Sequence, residues 1–316
     1  MSNIPQFFEY KDVSIEDKEF VDIYLKKSRQ EMSECTFANF YLWRDSYKVG
    51  LSKIDPALLV RTFYPDGRQS CMVPFGAEDA IGLLKNIFTI ISETKDDVKI
   101  NPMNIELYFV PHLFSVPDTN QENLNIKLEK AGFSVTPDRD NWDYVYLVKD
   151  LITLEGTKYH SKKKAMNKCL SENKCEFEEI TPILLPECIK FQDEWCKKMN
   201  CSEDSSLTAE NKATDLALED FMKLGLIGGI VKIDGKIEAM TIGEELNENT
   251  AVIHFEKANP EIDGLYQVIN NWFCIEMLNE YEFVNREQDL GKPGIRKAKM
   301  SYRPKYMIEK YIAKLK

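Results

Sequence analysis

Between Tyr281 and Pro304 the chain reads YEFVNREQDLGKPGIRKAKMSYRP, a stretch that gathers the side chains a polar reaction requires. Tyr281, Phe283 and Asn285 alternate with Glu282, Val284 and Arg286, the period of a short strand. The alternation gives way to a run of hydrogen-bonding side chains, Asn285, Arg286, Glu287, Gln288 and Asp289. After Gly291 and a Pro293-Gly294 turn come Arg296, Lys297, Lys299 and Arg303, interleaved with Met300 and Tyr302. Carboxylates at a strand end with cations just beyond them point to a polar, anionic ligand. The same pattern also fits a strand end followed by a solvated basic turn.

Two other elements carry chemistry that could meet this loop. The strand TAVIHFEKA brings His254, Glu256 and Lys257 to its carboxyl end, and the helix after Gly264 opens with Tyr266, Gln267 and Asn270. A helix N-terminus beside a strand end offers free N–H groups and a favourable dipole for a phosphate or a developing oxyanion. His254 reads equally well as a hydrogen-bonded core histidine, and Glu256 with Lys257 as an exposed pair of little energetic weight. A basic segment holds Lys158, Lys162, Lys163, Lys164 and Lys168 with His160 among them; three consecutive lysines cannot share one helix face, so the patch is broad.

These residues need a scaffold, and its elements alternate between helix and strand. Residues from about Ile15 to Ser46 have helical spacing. Leu58–Tyr64 and Gln69–Pro74 flank a Pro65-Asp66-Gly67 turn as a hairpin. The helix AEDAIGLLKNIFTIISETK, the strand ELYFVP, the helix NQENLNIKLEKAGF and the extended SVTPDRDNWDYVYLVKDLITL complete one unit. Trp142, Tyr144 and Tyr146 in the last of these fit sheet packing better than a stacking platform. The second half follows the same plan: a basic helix over 158–173, the strand Cys175–Ile180, the helices PECIKFQDEWCKKM and TDLALEDFMKLGL, two strands about an Asp234-Gly235 turn, TAVIHFEKA, LYQVINNWFCIEMLNE, the Tyr281 stretch and a last strand KYMIEKYIAKL. Element order repeats but residues do not. The pattern predicts an α+β fold with domains at 1–152 and 153–316, the boundary falling within Asp150–Glu155.

Composition, 43% hydrophobic and 29% charged, is that of a soluble globular protein. No apolar run approaches the roughly 20 residues of a bilayer-crossing helix, and the first residues lack a signal-peptide pattern, so a cytoplasmic location is expected. The eight cysteines contain no C-x-x-C pair and read mostly as buried thiols. His112, His160 and His254 lie far apart with no ligand spacing between them, so no metal site is expected. A net charge of −11 argues against a general nucleic-acid binder while leaving room for the two local basic sites.

The segments IDGKIEAMTIGEEL, VIHFEKAN, GLYQVINN and NREQDLGKPGIRKAKMSYRP, with TFANFYLWRDSY, WDYVY and KYHSKKKAMNK, resemble a bacterial family related to the C-terminal domain of phosphatidylglycerol lysyltransferase. The resemblance covers nearly the whole chain. It implies two tandem GNAT-like acyltransferase domains, similar to the Fem-type enzymes, and transfer of an aminoacyl group from aminoacyl-tRNA to a hydroxyl or amine. It further implies carboxylate roles for Glu256 and Asp289, anion or acyl-carbonyl binding by Arg286 and Arg296, and phosphate binding by Lys158, Lys162, Lys163, Lys297 and Lys299. His254 joins the catalytic candidates; Tyr266, Gln267, Asn270, Asn285, Glu287, Gln288 and Tyr302 are the substrate-binding ones.

Two departures bear on the substrates. The lysyltransferases proper carry a membrane-embedded part, whereas this chain has no transmembrane segment, which leaves a lipid headgroup or a small molecule as acceptor. Acyl-CoA enzymes of this fold cradle pyrophosphate ahead of the long helix, and here that place reads Pro260-Glu261-Ile262-Asp263-Gly264-Leu265-Tyr266, a poor cradle. An acyl-CoA-dependent N-acetyltransferase with a degenerate loop and a non-catalytic binding module are the alternatives. No cofactor is expected.

Overall fold

The computed structural model describes residues 3–7, 9–28, 31–64, 69–93, 105–111 and 124–316. The expected Pro65-Asp66-Gly67 turn, the start of the NQENLNIKLEKAGF helix and His112 lie outside the described residues. The chain divides into two compact units, Met1–Trp142 with Ile308–Lys316, and Asp143–Met307. Each is an α+β layer built on a mixed, mostly antiparallel sheet of GNAT-like order, as the resemblance implies.

In unit 1 the strands are β1 (Lys11–Asp12), β2 (Val49–Ile54), β3 (Ala57–Phe63), β4 (Gln69–Cys71), β5 (Ile105–Pro111) and β6 (Phe133–Pro137). The helices are α1 (Lys18–Ser28), α2 (Phe37–Leu42), α3 (Ala80–Glu93) and α4 (Leu124–Lys130). The helical spacing read over 15–46 is thus interrupted, with Thr36 capping α2 by accepting a bond from the Asn39 N–H. Leu84, Ile87 and Phe88 of α3 pack with Leu59, Cys71, Leu128 and Phe133 in one apolar core.

Unit 2 begins with β7 (Asp143–Leu147) and α5 (Val148–Thr153), so the division falls at Trp142/Asp143 instead of within Asp150–Glu155. Then follow α6 (His160–Glu172), β8 (Cys175–Glu179), α7 (Leu185–Lys198), α8 (Ser205–Glu219), α9 (Phe221–Leu224), β9 (Ile227–Ile233), β10 (Lys236–Asn247), β11 (Thr250–Ala258), α10 (Leu265–Glu276), β12 (Phe283–Asn285), α11 (Pro293–Ser301) and β13 (Tyr306–Ile308). The last strand read from sequence is in fact two: β13 pairs within the unit 2 sheet, and β14 (Lys310–Leu315) lies in the unit 1 sheet between β5 and β6. By sequence β7 follows the strands of unit 1 and β14 those of unit 2, so each sheet contains the strand that ends the other half. Alternation in a sequence specifies a strand but not its partner. The Pro293-Gly294 turn is likewise the first turn of α11; proline at the first helical positions lacks only an N–H that no helix would use.

The sheet of unit 2 runs β13-β7-β12-β11-β10-β9-β8. Strands β11 and β12 pair in parallel, and they do so over just Thr250–Val252 against Phe283–Asn285. Beyond Val252 the remaining residues of β11 have no ladder partner on that side, and the sheet opens into a wedge. Cys196 and Cys201 form a disulfide where α7 gives way to the turn before α8, so that pair departs from the expected set of thiols, while Cys71, Cys169, Cys188 and Cys274 are buried thiols as expected.

Candidate functional site

The wedge is where the polar residues meet. Its upper rung is Glu256 of β11, whose Oε1 accepts from Arg286 Nη2 at 2.7 Å and whose Oε2 accepts from Asn270 Nδ2 of α10 at 3.0 Å. The Arg286 guanidinium lies 4.9 Å from the centroid of Tyr302 and 5.6 Å from that of Tyr146. Burial works most strongly, and against its charge, but Glu256, with Tyr146, Tyr302 and Cys274 acting in the same sense, outweighs it and raises its pKa. Its Nη1 is buried and has no hydrogen-bond partner among the described residues. An arginine fixed on one side and unbonded on the other is a preorganised donor.

A second rung lies closer to the sheet. His254 is the extra residue of a bulge, because Ile253 pairs with Gly243 while Phe255 pairs with Ile242. Its Nδ1 bonds Glu287 at 2.8 Å and its Nε2 bonds Glu244 at 2.9 Å. Burial alone would lower its pKa, yet the two carboxylates raise it to about 10. Both ring nitrogens therefore donate, and His254 is an imidazolium cross-brace with no nitrogen left to act as a base. Sequence alone left its role between catalytic group and core histidine; the geometry makes it a charged structural residue.

The loop after β12 is held from beneath. Asp289 is fully buried and accepts from Arg296 through Nε at 2.8 Å and Nη2 at 2.7 Å, from the Tyr144 hydroxyl at 2.5 Å and from the Gly291 N–H at 2.9 Å. Burial would raise its pKa, but the bonds from Arg296 and Tyr144 hold it down at about 2. With its lone pairs so occupied, Asp289 fixes the loop, and Arg296 is its clamp. Asn285 donates to Asp143 at 3.0 Å and accepts from the Glu287 N–H at 2.8 Å. Lys299 reaches back from α11 to the carbonyls of Arg286 and Gln288, both at 2.5 Å, and burial lowers its pKa to about 8. Glu287 and Leu290 sit at φ 56° and 52°, a left-handed conformation that costs a non-glycine residue on the order of 1–2 kcal/mol. The clamps are what maintain it.

The expected lysines separate into three groups. Lys162 of α6 lies 4.5 Å over the Tyr302 ring and near Arg286, whose charge adds to burial in lowering its pKa; among the described residues it has no carboxylate partner. Lys158 bonds Asp150 at 2.9 Å and Lys163 reaches the Thr153 carbonyl at 3.4 Å, while Lys297 is exposed on α11. Lys299 belongs to the loop brace described above. Gln267 lies in the first turn of α10, and burial pushes the Tyr302 hydroxyl up to about 12. Tyr266 is half-buried at the start of α10, where burial raises its pKa.

The N-terminus of α10 is not the open anion site that its sequence suggests. The Leu265 and Gln267 N–H groups bond the carbonyls of Ile262 and Gly264. Gly264, at φ 86°, packs so closely on α6 that a Cβ there would lie 2.2 Å from the Ala165 carbonyl oxygen. Asp263 and Glu261 add negative charge beside it, paired with Lys168 and Lys198.

Three contributors were not among the site candidates read from sequence. Tyr144 and Tyr146 look like strand packing, but their hydroxyls bond Asp289 and the Lys299 carbonyl, the latter at 2.9 Å. Glu244 completes the histidine brace. Alternation identified the tyrosines as inward-facing; nothing local announced what their hydroxyls reach.

Residues 26–314 match the family described as phosphatidylglycerol lysyltransferase, C-terminal. A conserved protein of unknown function from Bacteroides thetaiotaomicron is 33% identical, with a TM-score of 0.84 over 97% of this chain and 99% of that one. The C-terminal DUF2156 domain of a protein provisionally assigned as a lysylphosphatidylglycerol synthetase from Agrobacterium fabrum is 13% identical, with a TM-score of 0.64 over 96% of this chain and 93% of that one, a likeness of fold. An uncharacterized protein of Mycoplasmoides gallisepticum is 24% identical over 181 residues, 55% of this chain and 56% of that protein, so the chain spans little more than half the length of that relative.

Proposed function

The chain belongs to the phosphatidylglycerol lysyltransferase C-terminal family, and from that premise we propose that it transfers an aminoacyl group from aminoacyl-tRNA to a hydroxyl or amine acceptor, with the reaction centred on Arg286. The observation that carries this reading is the unbonded Nη1 of a guanidinium otherwise fixed by Glu256. In ester transfer the acceptor oxygen or nitrogen bonds the carbonyl carbon, the carbonyl oxygen gains charge, and the bond to the ribose oxygen breaks. The acceptor's proton ends on that ribose oxygen. Arg286 Nη1 donates to the carbonyl oxygen and gains strength as its charge develops. Both oxygens of Glu256 are engaged, so its part is to orient Arg286. Lys162 lies beside Arg286 without a carboxylate and suits a phosphate of the tRNA 3′ end.

The acyl-CoA alternative loses support at α10, where N–H groups are already bonded, Ala165 covers the glycine and carboxylates flank the turn. No helix among the described residues is long and apolar enough to cross a membrane, so a lipid acceptor would have to be met at a surface. The test is filter binding of bulk aminoacylated tRNA across a salt series, followed by incubation with candidate acceptors. Charged tRNA should bind in competition with uncharged tRNA and indifferently to acetyl-CoA, and Arg286→Lys should bind but transfer poorly. Competition by acetyl-CoA alone, or undiminished transfer by Arg286→Lys, would discard the proposal.

A further inference from the structure

We propose that the Cys196–Cys201 disulfide is a redox switch for the wedge: closed, it fixes the loop that carries Arg286, and reduced by a dithiol it releases that loop through Lys292. The bridge joins the last turn of α7 to the short turn Cys201–Glu203, its two cysteines only five residues apart. A loop so short removes little disorder from the unfolded chain, so the bridge acts on local geometry more than on global stability. It holds Cys201, whose carbonyl accepts from Thr208 Oγ1 of α8 at 2.7 Å. Asp204 follows as the N-cap of α8, its Oδ1 accepting from the Ser206 N–H at 2.8 Å, the Ser206 hydroxyl at 2.6 Å and the Leu207 N–H at 3.3 Å. The cross-link therefore sets where the first turn of α8 stands.

From that turn Lys292 leads to the wedge. Its Nζ donates to Ser206 Oγ at 2.6 Å and lies 3.6 Å from Asp204 Oδ2. Its backbone belongs to the site loop: the Lys292 N–H bonds the Asp289 carbonyl, and the Lys292 carbonyl accepts from the Arg296 N–H, both at 3.0 Å. Asp289 and Arg296 are the clamp that fixes this loop. The pair of Lys292 with Asp204 is half-exposed and of small energetic weight, so what it supplies is position. Cys196 is partly exposed, so a thiolate of the reductant can attack its sulfur; Cys201 leaves as a thiolate and takes a proton, and the second thiol of the reductant then displaces Cys196. Two electrons and two protons pass from the dithiol, which closes its own disulfide. Cys188, also on α7, is buried with its thiol pushed up to about 12, so it does not compete for the bridge.

The bearing of the switch on turnover rests on the transferase reading, whereas the coupling itself is measured without substrate. Amide hydrogen exchange would be followed by mass spectrometry in peptides covering 201–208 and 285–303, in the full chain oxidised in air and after dithiothreitol. The state of the bridge is fixed by counting the cysteines alkylated after denaturation. Reduction should speed exchange about tenfold in both segments. Cys196→Ser and Cys201→Ser, each checked for an intact thermal transition, should match the reduced protein and not respond to dithiothreitol. In Lys292→Met the response should persist at 201–208 and vanish at 285–303. Alkylation of all eight cysteines before reduction, a response confined to 201–208 in the unaltered chain, or an undiminished response at 285–303 in Lys292→Met would overturn the switch. The expected coupling in a chain that transfers no aminoacyl group would uphold the switch and discard the transferase reading alone.

Discussion

The two units place different chemistry at the same topological position. In unit 1, β4 pairs in parallel with β5, and the chain leaving β4 continues through Met72, Val73 and Phe75, all buried, with Met72 and Phe75 bonded through their backbones to β3. In unit 2, β11 pairs in parallel with β12, and beyond the paired residues come His254, Glu256 and Lys257. One unit closes the opening of its sheet with hydrocarbon; the other spans it with ion pairs. Since buried ions contribute less to stability than hydrocarbon of equal volume, the ionic version is retained at a cost, which accords with the reaction proposed for Arg286.

The comparison breaks most sharply at Asp289. Replacing Arg296 with Leu leaves a buried carboxylate with its strongest partner gone, and should cost about 3–5 kcal/mol in chemical denaturation; a loss under about 1 kcal/mol would make the loop clamp incidental. Next comes the rate. Arg286→Lys keeps a cation but loses the planar fork, and transfer should fall by about 10²–10³-fold, the range for removing one oxyanion donor, with little change in melting temperature. Its counterpart in unit 1, Val73→Ala, should do the reverse, lowering stability by about 1–3 kcal/mol while leaving transfer per folded molecule intact.

A smaller effect follows from His254. Its folded pKa is raised to about 10, so its stabilisation is complete below the unfolded value near 6.5 and declines as pH rises towards 10. Lys299, lowered to about 8, works in the opposite sense between about 8 and 10.4, where the unfolded chain holds the extra proton. Stability should therefore fall between about pH 6.5 and 8 and flatten above, and His254→Gln should abolish that slope in melting curves taken across the range. The least effect is expected at Lys297, exposed on α11: its replacement by Ala should weaken tRNA binding modestly and reduce the salt slope by about one unit.

The residues of the wedge were legible before any coordinates. Strand periodicity, the polar run 285–289 and the basic stretch beyond it identify the loop, and the carboxyl end of TAVIHFEKA identifies what faces it. Their division of labour was not legible. A carboxylate that accepts four bonds and one that orients an arginine are the same letter class in a sequence. Asp289, Arg296 and Asn285 hold the backbone, His254 sits between two carboxylates, and Arg286 and Lys162 lie side by side with N–H groups that have no partner among the described residues.

What the sequence by itself determined is local: amphipathic periods, the Asp234-Gly235 hairpin, the proline and glycine boundaries, and the clustering of polar residues near position 286. These follow from interactions within a few residues along the chain. Tertiary structure decided the rest. Which sheet receives β7 and which receives β14, where β11 and β12 part, and which atoms stay unbonded all depend on contacts between residues far apart in sequence, such as Tyr144 with Asp289 and Glu256 with Arg286. Hydrogen bonds and ion pairs are directional over about 3 Å, and a one-dimensional pattern holds no record of that distance.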